Sequence, residues 1–270
     1  MWGTFLLYLA FGCLAGLLSG LFGIGGGVVI VPFLAWHFAA HGFTPDAIMI
    51  MAVATSLATI VVTSVSAVYA HHRLGAVEWP MVGRLAPGIL AGSVLGSIVA
   101  DRLPVQMFKL IFGVFLLFVA GRMLLAAEVG GQRNLRPGAV LLSFAGIVIG
   151  GVSAILGIGG GTLSVPLLVK CRFSIRSAVA ISSACGFPIA IAGSVSYVVL
   201  GWKHPSLPAE SFGYIYLPAF AGIVASSFLF APIGAKLAHR LPTARLKRIF
   251  ALVVLAVGSK LLWQAARPLI

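Results

Sequence analysis

The sequence predicts an all-α polytopic membrane protein, with about eight transmembrane spans arranged in two homologous halves. Hydrophobic residues make up 60% of the chain and charged residues only 9%, whereas a soluble domain usually carries about 25% charged residues. Apolar runs of roughly 20 residues, the length that an α-helix needs to cross a bilayer, recur along the chain. A glycine-rich motif that occurs twice divides these runs into two sets.

The duplicated motif predicts that the chain contains two copies of one unit. The segment from Gly16 to Pro32 reads GLLSGLFGIGGGVVIVP, and the segment from Gly150 to Pro166 reads GGVSAILGIGGGTLSVP. Gly16 and Gly150 are 134 residues apart, as are Pro32 and Pro166, and this offset is about half of the 270 residues. A shared GIGGG at one fixed offset indicates a duplicated half with a functional break at the same place in each copy.

The first half, residues 1–127, is expected to open with a helix that is broken at GIGGG. Its first apolar region, about residues 4–40, exceeds one straight span, and five residues with four glycines make a poor helix interior. We expect the second helical piece to begin near Val28. Further spans are expected at about residues 47–70, 81–100 and 110–126. The span at 81–100 carries a stripe of small residues that lets another helix approach closely, formed by Gly88, Gly92 and Gly96.

The second half, residues 138–270, repeats this pattern after a linker at residues 128–137. Its broken segment covers about residues 138–169. The later spans are expected at about residues 177–200, 214–237 and 248–265. Counting each broken segment as one span gives eight spans, four in each half. Counting the pieces as separate crossings gives five in each half, and an odd number would invert the two halves. The sequence leaves both counts open.

Charged residues lie mainly in the short loops between the apolar runs. The chain carries 18 Lys and Arg against 5 Asp and Glu, a net charge of +13, which here indicates loop charge that sets membrane orientation rather than nucleic-acid binding. In the eight-span arrangement the basic loops near residues 101–109, 170–176 and 236–248 share one face. We expect that face to be cytoplasmic, with both termini outside. The five acidic residues all fall in predicted loops or at span ends, which disfavours cation transport.

The two glycine motifs are the candidate binding site, and the expected ligand is an anion. Each break frees the N-terminus of the following helix, with unpaired N–H groups and a partial positive charge. Two such N-termini that converge on one cavity form an anion site. In the structural alternative, the glycines only permit tight helix crossing. The candidate substrate-binding residues are Gly23, Gly25, Gly26, Gly27, Val28, Ser19, Thr55, Ser56, Gly157, Gly159, Gly160, Gly161, Thr162, Ser153, Ser182 and Ser183.

Other kinds of chemistry find little support in the sequence. GIGGG lacks the Lys-Ser/Thr that follows in a phosphate-binding loop, and it lies in an apolar helix, so a nucleotide site is not indicated. We interpret His37, within a span, as a packed, hydrogen-bonded histidine rather than as a proton relay. The three cysteines show no metal-ligand or disulfide spacing. We therefore expect no enzyme activity, cofactor, metal ion or nucleic-acid partner.

The segments GLLSGLFGIGGGVVIVPFL from Gly16 and GGVSAILGIGGGTLSVPLL from Gly150 resemble the sulfite exporter TauE/SafE family of membrane permeases. The Ala-Val-Ala-Thr-Ser and Leu-Pro…Lys elements that follow agree with this family as well. The resemblance covers essentially the whole chain. It implies a multi-pass carrier of the inner membrane that moves sulfite, sulfoacetate or a related organosulfur anion.

Together, the residues and the resemblance predict a transporter, an exporter or permease, that binds a small anion between the two repeats. Two alternatives stay open, namely a passive anion channel and a non-transporting membrane scaffold subunit. The expected partners are the small anionic substrate and the lipid bilayer, and assembly into a homo-oligomer stays open.

Overall fold

The computed structural model is mostly helical and describes residues 2–22, 26–125, 138–202, 204–205, 207–240 and 244–266. Within these residues the chain forms ten helices and one two-stranded hairpin. In chain order they are α1 (Trp2–Phe22), α2 (Gly27–Ala40), α3 (Pro45–Arg73), α4 (Trp79–Asp101), α5 (Val105–Leu125), α6 (Ala139–Leu156), α7 (Gly161–Lys170), α8 (Ile175–Gly201), β1 (Ser211–Phe212), β2 (Ile215–Tyr216), α9 (Leu217–Arg240) and α10 (Ala244–Ala266). The predicted all-helical class is confirmed. The predicted linker at 128–137 lies outside the described residues.

Six of the helices in the described part of the chain are long and apolar enough to cross a membrane, namely α1, α3, α4, α5, α8 and α9. Four further apolar segments are shorter, at 10–17 residues, and cover residues 27–40, 140–156, 161–170 and 251–266. The multi-pass character of the chain is therefore confirmed. The count of about eight spans stays a prediction, because it depends on how these shorter segments lie in the bilayer.

Each glycine motif separates two helices, as the sequence predicts. α2 begins at Gly27, one residue before the predicted start at Val28, and α7 begins at Gly161. The residues directly before them, Gly26 and Gly160, have φ angles of 74° and 77°. Glycine adopts this left-handed backbone without the steric cost that a Cβ would bring.

The chain reverses direction at the first break. Phe33 of α2 stacks on Phe11 of α1 with ring centroids 3.5 Å apart, and His37, further along α2, lies 3.1 Å from the Tyr8 hydroxyl, nearer the start of α1. Residues further along α2 thus contact residues nearer the start of α1. The two helices are therefore antiparallel, and α2 returns toward the end of the molecule where α1 begins. The two pieces form a helical hairpin. The predicted break is confirmed, and the structure adds the direction of the second piece, which the glycines alone do not determine.

Glycine rows bring two pairs of parallel helices into close contact. A Cβ on Gly88, Gly92 or Gly96 of α4 would collide with the backbone of α6 at Ser143, Ile147 and Gly151, respectively. The predicted small-residue stripe is therefore confirmed. α1 packs on α9 in the same way, with Gly12, Gly16 and Gly20 against Ile223, Ser227 and Ala231. In both pairs the residue numbers rise together, so the two helices run in the same direction.

The helix directions divide the connections between two faces of the molecule. We call the end where α1 begins the first face and the end where α3 finishes the second face. α4 returns to the first face, and α6 runs parallel to it, so α6 begins at the second face. α10 is antiparallel to α5, with Gly113 beside Leu262 and Gly258 beside Leu116. The expectation that residues 101–109 share a face with 170–176 and 236–248 is therefore wrong, because 101–109 lies at the first face, whereas 170–176 and the described residues of 236–248 lie at the second.

A short hairpin at the first face was not expected from the sequence. Strands β1 and β2 pair antiparallel between α8 and α9, where a span was predicted to start at Tyr214. The Tyr214 hydroxyl donates to Asp101 Oδ1 at 2.9 Å, at the end of α4. Burial raises the pKa of Tyr214, and the hydrogen bond to Asp101 raises it further, so the phenol stays a donor. The hairpin is thus tied to the end of α4.

Candidate functional site

The two glycine motifs, far apart in sequence, touch each other inside the fold. A Cβ on Gly27, the first residue of α2, would collide with the carbonyl oxygen of Gly157, the residue after α6. A Cβ on Gly157 would in turn lie 2.8 Å from the Val31 side chain and 3.0 Å from the backbone of Val53. Any larger side chain at either glycine would push the two breaks apart. The contact brings Gly26 and Gly27 of the first half together with Gly157 of the second.

Helices α2 and α7 both begin without a side-chain cap. Their N-cap residues are Gly26 and Gly160, and neither N-terminus receives a side-chain hydrogen bond. The first N–H groups to bond the N-cap carbonyl belong to Val29 in α2 and Leu163 in α7, at 3.0 Å each. The N–H groups that precede them form, with the helix dipole, the positive end of each helix. Both ends are therefore suited to attract an anion.

Ser153 places a hydroxyl group beside the N-terminus of α7. Its Oγ lies 3.4 Å from the position that a Cβ on Gly160 would take. The side chain is 0% exposed, and its Oγ has no hydrogen-bond partner among the described residues. A buried polar atom left unpaired costs about 1–3 kcal/mol, so such an atom in a native protein calls for an explanation. Thr162 and Ser183 also carry buried hydroxyls without a partner in the described part of the chain.

The second break is held in place by α8. Ser164 Oγ donates to the Gly160 carbonyl oxygen at 2.8 Å and lies 2.8 Å from Ser182 Oγ. One turn further along α8, a Cβ on Gly186 would lie 3.3 Å from the Gly159 carbonyl oxygen. The predicted site residues Gly159, Gly160 and Ser182 are therefore neighbours.

Two of the hydroxyls predicted in the first half, those of Thr55 and Ser56, have protein partners. Ser56 Oγ donates to the Gly157 carbonyl oxygen at 2.8 Å. Thr55 Oγ1 accepts the backbone N–H of Tyr216 at 2.9 Å. Both side chains are 0% exposed, and Ser19 is also buried. The hydroxyls of Thr55 and Ser56 thus hold α3 to β2 and to the second break.

Three predicted site residues are not placed at the contact between the breaks. The Val28 side chain lines an apolar cavity beside α10 together with Leu18 and Phe11, so it faces away from the contact between the two breaks. Gly23 and Gly25 lie outside the described residues.

The sequence analysis missed one buried tyrosine beside the second break, and it identified one buried histidine on α2. Tyr197 is fully buried, and its hydroxyl donates to the Ala154 carbonyl oxygen at 3.0 Å, one residue after Ser153. Nothing in the sequence distinguishes this tyrosine from a core aromatic residue. His37 is 3% exposed and hydrogen-bonded to Tyr8, which confirms the interpretation of a packed, hydrogen-bonded histidine. Its Nε2 has no partner among the described residues.

Comparison with known proteins agrees with a transport role. The family model described as Sulfite exporter TauE/SafE matches residues 8–261. A Haemophilus influenzae protein named "Probable membrane transporter protein" is 38% identical over 260 residues, covering 96% of this chain and 98% of its own length. A Methanocaldococcus jannaschii protein of the same description is 28% identical, covering 84% and 81%. The "Probable membrane transporter protein YunE" of Bacillus subtilis is 25% identical, covering 97% and 98%. No solved structure matches the chain significantly.

Proposed function

Because the chain belongs to the sulfite exporter TauE/SafE family of membrane transporters, we propose that it carries a small sulfur-containing anion, such as sulfite or sulfoacetate, across the inner membrane. The anion binds where the two glycine motifs meet. The name of the family supports the substrate class, and the uncapped N-termini of α2 and α7 support the negative charge of the substrate.

The observation that carries the site assignment is the hydroxyl of Ser153. It is buried, unpartnered among the described residues, and adjacent to Gly160 at the positive end of α7. A bound anion would accept hydrogen bonds from this hydroxyl and from the N–H groups of Gly161 and Thr162. Hydrogen bonds to charged groups are the stronger ones, worth about 1.5–3 kcal/mol each. This ligand would account for an otherwise unpaired donor.

In this proposal residues 1–127 and 138–270 are inverted repeats. Helices α1 to α5 of the first half correspond to α6 to α10 of the second. The packing of the helices is symmetric between the halves. The contact of α1 with α9 has its counterpart in the contact of α6 with α4. The other two large contacts, α3 with α8 and α5 with α10, each join a helix to its own counterpart. α1 begins at the first face and α6 at the second, which is the relation that inverted repeats require. Rocking of one repeat against the other would give alternating access.

The distribution of positive charge supports one orientation. Basic residues in the described part of the chain are concentrated at the second face, where they are Arg73, Arg84, Arg122, Lys170, Arg172, Arg176, Lys236, Arg240, Arg245, Lys247 and Arg248. The first face carries Arg102, Lys109 and Lys260. Cytoplasmic loops are rich in Lys and Arg, so the second face is proposed to be cytoplasmic. Both ends of the described chain, at α1 and α10, then lie outside.

Flux measurements on purified protein in liposomes test the function. The protein should take up radiolabelled sulfite or sulfoacetate with saturable kinetics, and unlabelled anion inside the liposomes should accelerate that uptake by exchange. Linear uptake without exchange would instead identify a passive anion channel. The absence of flux for sulfur anions, phosphate and small carboxylates alike would favour a scaffold subunit and contradict the proposal.

A further inference from the structure

The apolar cavity that Val28 lines lies at the side of the molecule, away from the contact between the breaks. It has a volume of about 640 Å³ and lies between α1, α2 and the start of α3 on one side and α5 and α10 on the other. Its apolar lining includes Phe11, Leu18, Phe33, Trp36, Val257 and Leu261. Trp36, at the edge, is 56% exposed, so the cavity is open toward the surrounding bilayer.

The depth of the cavity corresponds to one leaflet of a membrane. Its lining follows α2 from Val28, next to the central break, to Ala39, near the first face. Eleven residues of α-helix rise about 16 Å, which is half of the roughly 30 Å hydrocarbon core of a bilayer. The cavity is therefore long enough to hold one acyl chain of a single leaflet.

The polar groups of the cavity lie toward the first face. They are Lys109, Lys260 and Gln264. Because α5 and α10 are antiparallel and Gly113 lies beside Leu262, Lys109 and Gln264 are level with each other, near the first face. Lys260 lies one turn deeper, and a lysine stem is long enough to bring its ammonium group to the interface. No carboxylate lines the cavity, and neither lysine forms an ion pair with another described residue.

We propose that this cavity binds an acidic phospholipid, with an acyl chain along the wall of Phe11 and Phe33 and the phosphate headgroup on Lys109 and Lys260. The positive charge of the two lysines is the reason to propose an acidic lipid rather than a neutral lipid or a second protein chain. Two lysines at the headgroup level of a bilayer-facing apolar cavity favour a lipid with a net negative charge, because in a zwitterionic lipid the ammonium group offsets the phosphate charge. A second copy of this chain offers few carboxylates for the purpose, since the whole sequence has five acidic residues. The proposal does not depend on which anion is transported.

Native mass spectrometry of the delipidated protein tests the headgroup contact. Phosphatidylglycerol and phosphatidylcholine with identical acyl chains are added in turn, and their dissociation constants are compared. A basic residue near a membrane surface contributes about 1 kcal/mol of attraction to an acidic lipid, or roughly fivefold in affinity. We expect Lys109→Ala combined with Lys260→Ala to remove most of the preference for phosphatidylglycerol. Lys236→Ala, a basic residue at the second face, serves as the matched control and should leave the preference unchanged.

A second variant tests the acyl-chain wall. Val257→Trp fills the cavity and should weaken binding of both lipids at this site, whereas Leu252→Trp, on the same helix but outside the lining, should not. Equal affinity of the wild-type protein for the two lipids would overturn the proposal. A preference for phosphatidylglycerol that survives in the double lysine variant would also overturn it. So would unchanged lipid binding by the Val257→Trp protein, whether or not that substitution changes the oligomeric state.

Discussion

The break near Gly27 and the break near Gly160 share a motif and a left-handed glycine, but their polar neighbours differ. In the first half, Ser56 donates to the carbonyl oxygen of Gly157 in the second break, and Thr55 accepts a hydrogen bond from the hairpin. At the second break, Ser153 is as deeply buried as Ser56 and has no partner among the described residues. The second copy also carries Thr162 and Ser164 where the first has Val28 and Ile30. In our proposal the first break serves mainly as a structural support, and the second break holds the ligand.

The largest expected effect comes from filling the breaks themselves. Gly160→Leu and Gly26→Leu should abolish transport while leaving membrane insertion intact. Their left-handed backbones disfavour any Cβ by roughly 1–2 kcal/mol, and the new side chains would meet Ile189 at 2.6 Å and the Ala15 carbonyl oxygen at 2.9 Å. Gly42→Leu is the control, because Gly42 has the same backbone, with φ 73°, and nothing within 4 Å. Anion flux in liposomes is compared between the break variants and the control. Normal flux in both break variants would contradict the assignment of the site to the breaks.

Ser153→Ala should have the next largest effect, and it should act on binding alone. Losing a hydrogen bond to a charged ligand costs about 1.5–3 kcal/mol, or roughly ten- to hundredfold in affinity. The ligand-free protein should be no less stable, because the hydroxyl has no protein partner to lose. Isothermal titration with the transported anion measures the affinity, and thermal denaturation measures the stability. A loss of stability with unchanged affinity would reverse the roles of the two breaks.

Ser56→Ala should show the opposite pattern. The substitution leaves the Gly157 carbonyl oxygen buried without its donor, at a cost of about 1–3 kcal/mol in the free energy of unfolding. Anion affinity should stay within about threefold of wild type, since a hydroxyl already bonded to protein is not needed by the ligand. The same two measurements apply, and a Ser56→Ala protein that is stable but no longer binds would contradict the comparison.

Thr55→Val should have the smallest effect on stability, and that effect should be confined to the hairpin. It removes the acceptor for the Tyr216 N–H, and one neutral hydrogen bond contributes about 1 kcal/mol. Hydrogen exchange should therefore accelerate at the Tyr216 amide and not in α7. Acceleration spread across both breaks would show that the hairpin supports the site as a whole.

Part of this architecture could be predicted from the sequence because its physical causes are local. Four glycines in five residues disfavour a helix interior, so the breaks before Gly27 and Gly161 were predictable. The row at Gly88, Gly92 and Gly96 predicted a close helix crossing because four-residue spacing places small residues on one side of a helix.

The remaining features depend on contacts between distant residues. The reversal of α2 along α1 follows from packing of Phe33 on Phe11, which the glycine motif does not encode. The hairpin has strands of only two residues, too short for a periodic pattern. Whether a buried serine is engaged or unpartnered depends on what lies opposite it, and the partner of Ser56 is 101 residues away.

The most direct test of the central claim is to locate the bound anion. Crystals of the protein with the selenium analogue of the transported anion would give an anomalous signal at the binding site. We expect that signal at hydrogen-bond distance, about 3 Å, from Ser153 Oγ and the N–H groups that open α7. A peak beside Thr55 and Ser56 at the first break, or one remote from both breaks, would contradict the account.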